Sequence, residues 1–223
     1  MTASVQPSAE PAIVYPDSDG QPMADNTKQL RCITTIQGGL DALFKDNADI
    51  FVAGDLLWYP VEGDNKIRLA PDVMVVFGRP KGDRGSYQQW QEDNIPPQVV
   101  FEVLSPENRL GEMVRKLRFY ERYGVEEYYI YDPGNVDLTG WQRSGLELTE
   151  IESMEGWVSP RLGIRFDLSS GLEIYRPDGQ KFLTYVELER EREQERQEKE
   201  LAQAKAERLA ERLRSMGINP DEV

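Results

Sequence analysis

Pro71-Asp72-Val73-Met74-Val75-Val76-Phe77 and Gln98-Val99-Val100-Phe101-Glu102-Val103-Leu104 decide how this chain folds. Each is a short apolar run carrying one carboxylate. Runs of this length, rich in valine, read as strands, and an almost unbroken one reads as a strand covered on both faces. Glu102 sits inside such a run. A carboxylate buried without a partner is costly, so Glu102 must meet a metal, a base or a proton. Side chains alternate along a strand, which puts Glu102 on one face with Val100 and Leu104. Asp72 opens the other run just after Pro71, where a turn or edge residue is the plainer reading.

Beyond the second run, Ser105-Pro106-Glu107-Asn108 turns the chain into a helix, with Asn108 as the expected N-cap. Leu110, Met113, Val114, Leu117 and Tyr120 line one face, and Gly124 suits the C-terminal stop. At about 100° per residue the apolar stripe centres on Met113 and Leu117. Arg109, Glu112 and Lys116 fall along one edge of it, and Arg115, Arg118 and Arg122 on the exposed side. Lys116 can therefore reach a site at the sheet edge. Its plainer role is an aliphatic stem lying over the core with the amine in water. Val125 to Tyr131 reads as a further strand, and the order strand, helix, strand implies a crossover between roughly parallel strands.

On the N-terminal side, residues 27–45 carry Leu30, Ile33, Ile36, Leu40, Leu43 and Phe44 at helical spacing. Gly38-Gly39 implies a kink there or a close neighbour. Phe51 to Gly54 and Leu56 to Tyr59 read as strand, with Asp55 between them. The connection from Phe77 to Pro97 holds Arg79, Lys81, Arg84, Tyr87 and Trp90. A connection of that length in a compact domain is functional or mobile. Its bases suit contact with nucleic acid; alternatively it is a solvated excursion with Trp90 packed back on the core. Residues 136–182 read as short strands and turns.

Three segments are expected: a proline-rich arm over 1–26 with little structure of its own, able to dock through Tyr15; a domain over 27–182; and a charged helical tail over 183–223. The tail is polar on nearly all sides from Glu187 to Glu200, so it is a solvent-exposed or bridging helix. Leu201, Leu209, Leu213 and Met216 add a weak stripe that suits a coiled-coil partner over 187–216.

Charge and composition narrow the function. The chain has 40 acids, 26 bases and a net charge of −14. It repels nucleic acid at long range, so any phosphate site must be a local basic patch or a bound metal. There is no histidine, which excludes histidine triads, ligands and general bases. Cys32, the one cysteine, makes no internal disulfide and reads as a structural thiol. With no long apolar run and no signal-peptide core, the expectation is a cytoplasmic protein with no membrane partner. Two acids on neighbouring strands and a nearby lysine can build a phosphodiesterase site. Asp72 and Glu102 would hold Mg²⁺ or Mn²⁺ through oxygen. Lys116 would orient the attacking water or neutralise developing charge.

Pro71-Asp72-Val73, Phe101-Glu102-Val103-Leu104-Ser105-Pro106-Glu107-Asn108, Lys116 with Tyr120, Gly124-Val125-Glu126-Glu127-Tyr128 and Asp132-Pro133 together resemble the Uma-two family of restriction endonucleases, within the PD-(D/E)xK nuclease superfamily. The resemblance covers about residues 13 to 176. It implies a restriction-endonuclease-like α/β core, a mixed sheet flanked by helices, with Asp72 and Glu102 as metal ligands. The superfamily pattern places a lysine two residues after the second acid, where this chain has Leu104; the resemblance suggests that Lys116 has taken its place. Asp55 is an accessory acid candidate and Arg109 an accessory base. Arg79, Lys81 and Arg84 are candidate nucleic-acid contacts.

Two functions compete. One is a Mg²⁺-dependent DNA endonuclease, working as a homodimer to cut both strands. The other is a catalytically silent nuclease-like module that binds or regulates through its C-terminal helix. A two-carboxylate sugar or nucleotide hydrolase fits less well, because its acids need no basic helix beside them.

Overall fold

The computed structural model describes residues 13–217 and Asn219. These form two compact units that divide between Phe182 and Leu183. The first begins with α1, Thr27–Leu43. Asn26 caps it, its side chain accepting from the amides of Lys28 and Gln29. Ile33, Ile36 and Leu40 form the buried stripe, while Leu30 is 41% exposed. Gly38-Gly39 does not break the helix. A Cβ on Gly39 would overlap the Phe182 ring, so the glycine accommodates a side chain packed against the helix.

The chain continues through β1 (Ile50–Gly54), β2 (Trp58–Tyr59), β3 (Val73–Phe77) and β4 (Tyr87–Gln88), then a 3₁₀ turn over Gln89–Gln91. After it come β5 (Val99–Val103), α2 (Leu110–Arg122), β6 (Glu127–Asp132), β7 (Asp137–Ser144) and β8 (Glu147–Glu150). Two short strands, β9 (Arg165–Asp167) and β10 (Glu173–Tyr175), pair with each other. The main sheet has the order β1-β3-β5-β6-β7-β8. It is mixed: β5 and β6 are parallel, joined by α2, and the other neighbours are antiparallel. The crossover expected from sequence is therefore present.

Both faces of the sheet are covered, which is why its central strands are nearly continuous apolar runs. Val73, Val75, Val99, Phe101 and Val103 face one core with Ile33, Ile36 and Leu40 of α1. Met74, Val76, Val100 and Tyr128 face the other with Tyr120 of α2, Trp58 and Tyr87. Cys32 is half-buried and packs at the edge of the first core. A second buried acid, Glu127 on β6, is 1% exposed. It accepts from the Tyr129 hydroxyl at 2.9 Å, the Arg161 amide at 2.8 Å and the Ser159 hydroxyl. Three donors satisfy this carboxylate, and it ties the 159–161 turn to the sheet.

One expectation changes. Asn108 is not the cap of α2: Arg109 takes that place without a side-chain bond. Asn108 instead accepts from the Ser105 amide at 2.7 Å, closing the turn that precedes the helix. The N-terminal arm, from residue 13 onward, docks through Tyr15, as its sequence allows; residues 1–12 lie outside the described residues.

The second unit is α3, Tyr185–Ser215, opened by a capping box between Thr184 and Glu187. None of its residues is buried. Glu189–Arg192 and Glu193–Arg196 ion pairs, both at 2.9 Å, run along it and give modest support to an exposed helix.

Candidate active site

Register builds the site. β3 and β5 pair with Val73 opposite Phe101 and Met74 opposite Val100. The ladder ends there: Asp72 immediately precedes β3 and Glu102 follows Phe101 in β5, and the two line one cavity, with the Glu102 charge acting on Asp72. Two acids thirty positions apart in the chain thus become neighbours at the end of the sheet. Asp72 Oδ2 accepts from the Val103 amide at 2.6 Å, which holds the aspartate against the partner strand.

α2 supplies the counter-groups. Lys116 and Tyr120 are one turn apart and share an edge of the helix. Lys116 Nζ donates to Glu102 Oε2 at 2.8 Å, and the Tyr120 hydroxyl donates to Glu102 Oε1. Glu102 is 2% exposed, so these two bonds are what make its burial tolerable. Of the two sequence readings of Lys116, the structure selects the one in which its amine reaches the acids.

The electrostatics show crowding. Burial, and then the Glu102 charge, push Asp72 up to about 8, against the pull of the Val103 amide and Lys116. Asp55 is also raised, by burial and then by Asp19 and Glu102. Burial draws Lys116 down, but the Glu102 carboxylate outweighs it and its pKa rises. Burial and the Glu102 charge hold Tyr120 well above the usual phenol range, so its hydroxyl stays a donor. Tyr128, beneath them on β6, has a buried hydroxyl with no hydrogen-bond partner among the described residues.

Asp55 directly follows β1 with φ +50, a left-handed conformation that aspartate tolerates better than most residues. Its amide donates to the Pro71 carbonyl at 3.1 Å, which places it beside Asp72. Asp55, Asp72, Glu102 and Lys116 all line one cavity of about 440 Å³. Arg109, exposed at the N-cap of α2, is not among its lining residues. Neither are the three bases of the 78–97 connection. Arg79 bonds Glu92 at 2.8 Å and also pairs with Asp93, and Arg84 bonds Glu92 at 2.6 Å. Lys81 is exposed. Trp90 packs against Tyr15 of the arm, with the two rings tilted by 53°. Sequence reading missed the hydroxyl of Tyr120, the place of arm residues 21–25 in the cavity wall, and Lys66 and Arg68, which also line it. Only Tyr120 left a signal, four residues after Lys116.

Among the described residues, no group of three or more His, Cys, Asp or Glu side chains is placed to hold a metal by itself. Two carboxylates suffice for Mg²⁺, which keeps several waters and completes its shell with substrate phosphate. Each carboxylate oxygen engaged here retains a second lone pair. The crowding that raises Asp72 is what a cation between the acids would relieve. The donor set therefore fits a small hard cation.

The family model Uma2, described as "Putative restriction endonuclease", matches residues 9–174. The chain belongs to that family, and its mixed sheet with helices on both faces is the restriction-endonuclease-like core expected of it. Among solved structures, the chain is similar to a "putative nuclease belonging to DUF820" from Anabaena variabilis ATCC 29413, at 15% identity and a TM-score of 0.46, over 64% of this chain and 78% of that one. No curated protein matches. Among the described residues, no helix is long and apolar enough to cross a membrane.

Proposed function

We propose that the chain is a divalent-cation-dependent DNA endonuclease with Asp72, Glu102 and Lys116 as its catalytic residues. The observation that carries this reading is the single cavity lined by the two acids, with the Lys116 ammonium 2.8 Å from Glu102. Asp72 and Glu102 would hold Mg²⁺ or Mn²⁺. The bound ion would supply an acidified water and a polarised phosphoryl oxygen.

The chain's own residues do the rest. Lys116 lies at the cavity wall, where its ammonium can meet the charge that grows on the phosphoryl oxygens as the bond to the leaving oxygen breaks. Tyr120 fixes one oxygen of Glu102, so the carboxylate is held in place while Lys116 turns toward substrate. Asp55 is the accessory acid: its like charge helps keep the pair short of positive charge and receptive to a cation. With no histidine in the chain, proton movement falls to water and to these carboxylates. Removal of both ligands, as Asp72→Asn with Glu102→Gln, should abolish cleavage of labelled DNA in Mg²⁺ or Mn²⁺. Cleavage equal to the unsubstituted chain would place the chemistry elsewhere.

The tail is proposed as the surface for self-association. Its 31 residues include none that is buried, and Leu209, Leu213 and Met216 leave an apolar stripe at its far end. A chain ending at Phe182 should keep its folded CD spectrum but show a lower mass by light scattering. An unchanged mass would remove the tail from assembly.

A further inference from the structure

One wall of the active-site cavity is the N-terminal arm. The arm is fastened at both ends. At one end, the Tyr15 ring packs edge-on to Tyr59 at 5.2 Å and against Trp90 at 4.9 Å. The Tyr15 hydroxyl accepts from the Gly63 amide at 2.7 Å, and the Tyr59 hydroxyl donates to the Pro16 carbonyl at 2.7 Å. Asn65 Nδ2 donates to the Val14 carbonyl, also at 2.7 Å. At the other end, the Ser105 hydroxyl, just beyond β5, donates to Asp25. Between these anchors, Asp19 and residues 21–25 line the cavity. The opposite walls are the 66–70 segment and the first turns of α2.

Size and charge then limit what can enter. The cavity is an open cleft of about 440 Å³, room for one phosphodiester and its neighbouring groups. That volume lies in the ~300–1,000 Å³ range of sites that enclose one small ligand. The arm's side of the cavity carries Asp19 and Asp25, which repel a second phosphate backbone. Of the three bases of the 78–97 connection, Arg79 and Arg84 are held by Glu92, and Lys81 is exposed but does not line the cavity. The opposite wall offers Lys66 and Arg68, two bases suited to the phosphates of one strand.

We infer that the site takes one unpaired DNA strand, laid between the arm and the 66–70 segment, and that the docked arm excludes intact duplex. This deepens the nuclease reading and rests on it. Stacked, paired bases cannot pass the arm, whereas a single strand bends at every phosphate and brings one phosphodiester to Asp72, Glu102 and Lys116.

The test compares a short single strand with a hairpin duplex containing the same strand. Cleavage is followed with Mn²⁺, and binding by fluorescence anisotropy with Ca²⁺, which shares the preference for oxygen ligands. The single strand should be favoured on the order of thirtyfold in both readouts, equivalent to about 2 kcal/mol. Tyr15→Ala removes the arm's ring anchor, and Asn65→Ala removes only the side-chain bond to the Val14 carbonyl. Either variant should narrow the preference by raising activity on the hairpin, with the rate on single strand unchanged. Equal use of strand and hairpin by the unsubstituted chain overturns the inference and leaves the nuclease reading standing. Neither bound nor cut overturns both. A preference unchanged in both variants, with the arm shown loosened by limited proteolysis, removes the arm as its cause.

Discussion

Lys116→Met should lower DNA cleavage by about 10³-fold, the scale of losing one charge-stabilising donor in an active site. The methionine keeps the apolar stem and drops the ammonium. It also leaves Glu102, 2% exposed, with only the Tyr120 hydroxyl and no positive partner. Removing one partner of such a pair is strongly destabilising, so the metal-free variant should unfold about 3 kcal/mol more easily. A divalent cation supplies the missing positive charge beside Glu102. Saturating Mn²⁺ should therefore recover much of that stability while cleavage stays low. This split separates two roles. Loss of stability with normal cleavage would make Lys116 a structural counter-ion; loss of cleavage with no change in stability would mean that it does not carry the Glu102 charge.

The second large effect is a pH dependence centred on Asp72. Its pKa in the folded protein is pushed up to about 8, from an ordinary value of 3.8. The folded state thus prefers the protonated acid more than the unfolded state does. Its contribution to stability is full below the ordinary value and is lost as pH rises toward 8. Asp72→Asn keeps an acceptor for the Val103 amide and removes the charge. Metal-free Asp72→Asn should melt roughly 5 °C above the unsubstituted chain at pH 9, about 2 kcal/mol for a domain of this size, with the gain vanishing near pH 4. A cation that binds to ionised Asp72 displaces its proton, so affinity should rise with pH up to about 8 and then level off. A variant that gains nothing at pH 9 would show that Asp72 is not crowded by Glu102.

Much of this architecture is legible in the chain because the central strands are covered on both faces. Runs such as Val73 to Phe77 and Val99 to Val103 have few other ways to bury so many valines. The helical edge of Lys116 is legible for a similar reason, since the stripe through Met113 and Leu117 fixes how α2 is turned. Register is not written in such runs. That Asp72 and Glu102 line one cavity depends on the β3–β5 pairing, which is set by the whole sheet. Glu127 escaped notice for a related reason. Its donors come from Tyr129, Ser159 and Arg161, and the two on the 159–161 turn lie more than thirty positions away. The arm is legible in part. Prolines and small polar residues give residues 13–25 no helix or strand, and Tyr15 gives them the expected ring contact and a hydroxyl acceptor on the domain. The bases at Arg79 and Arg84 show the reverse. In sequence they suit a phosphate, but Glu92, eight positions beyond Arg84, holds both.

The direct test of the central claim is a calorimetric titration of Mn²⁺ at pH 8.5, with the same samples assayed for DNA cleavage. The unsubstituted chain should bind the cation and cut DNA, and Asp72→Asn with Glu102→Gln should do neither while remaining folded. Cation uptake undiminished in the double variant, or cleavage by the unsubstituted chain in excess chelator, would contradict a metal site built on Asp72 and Glu102.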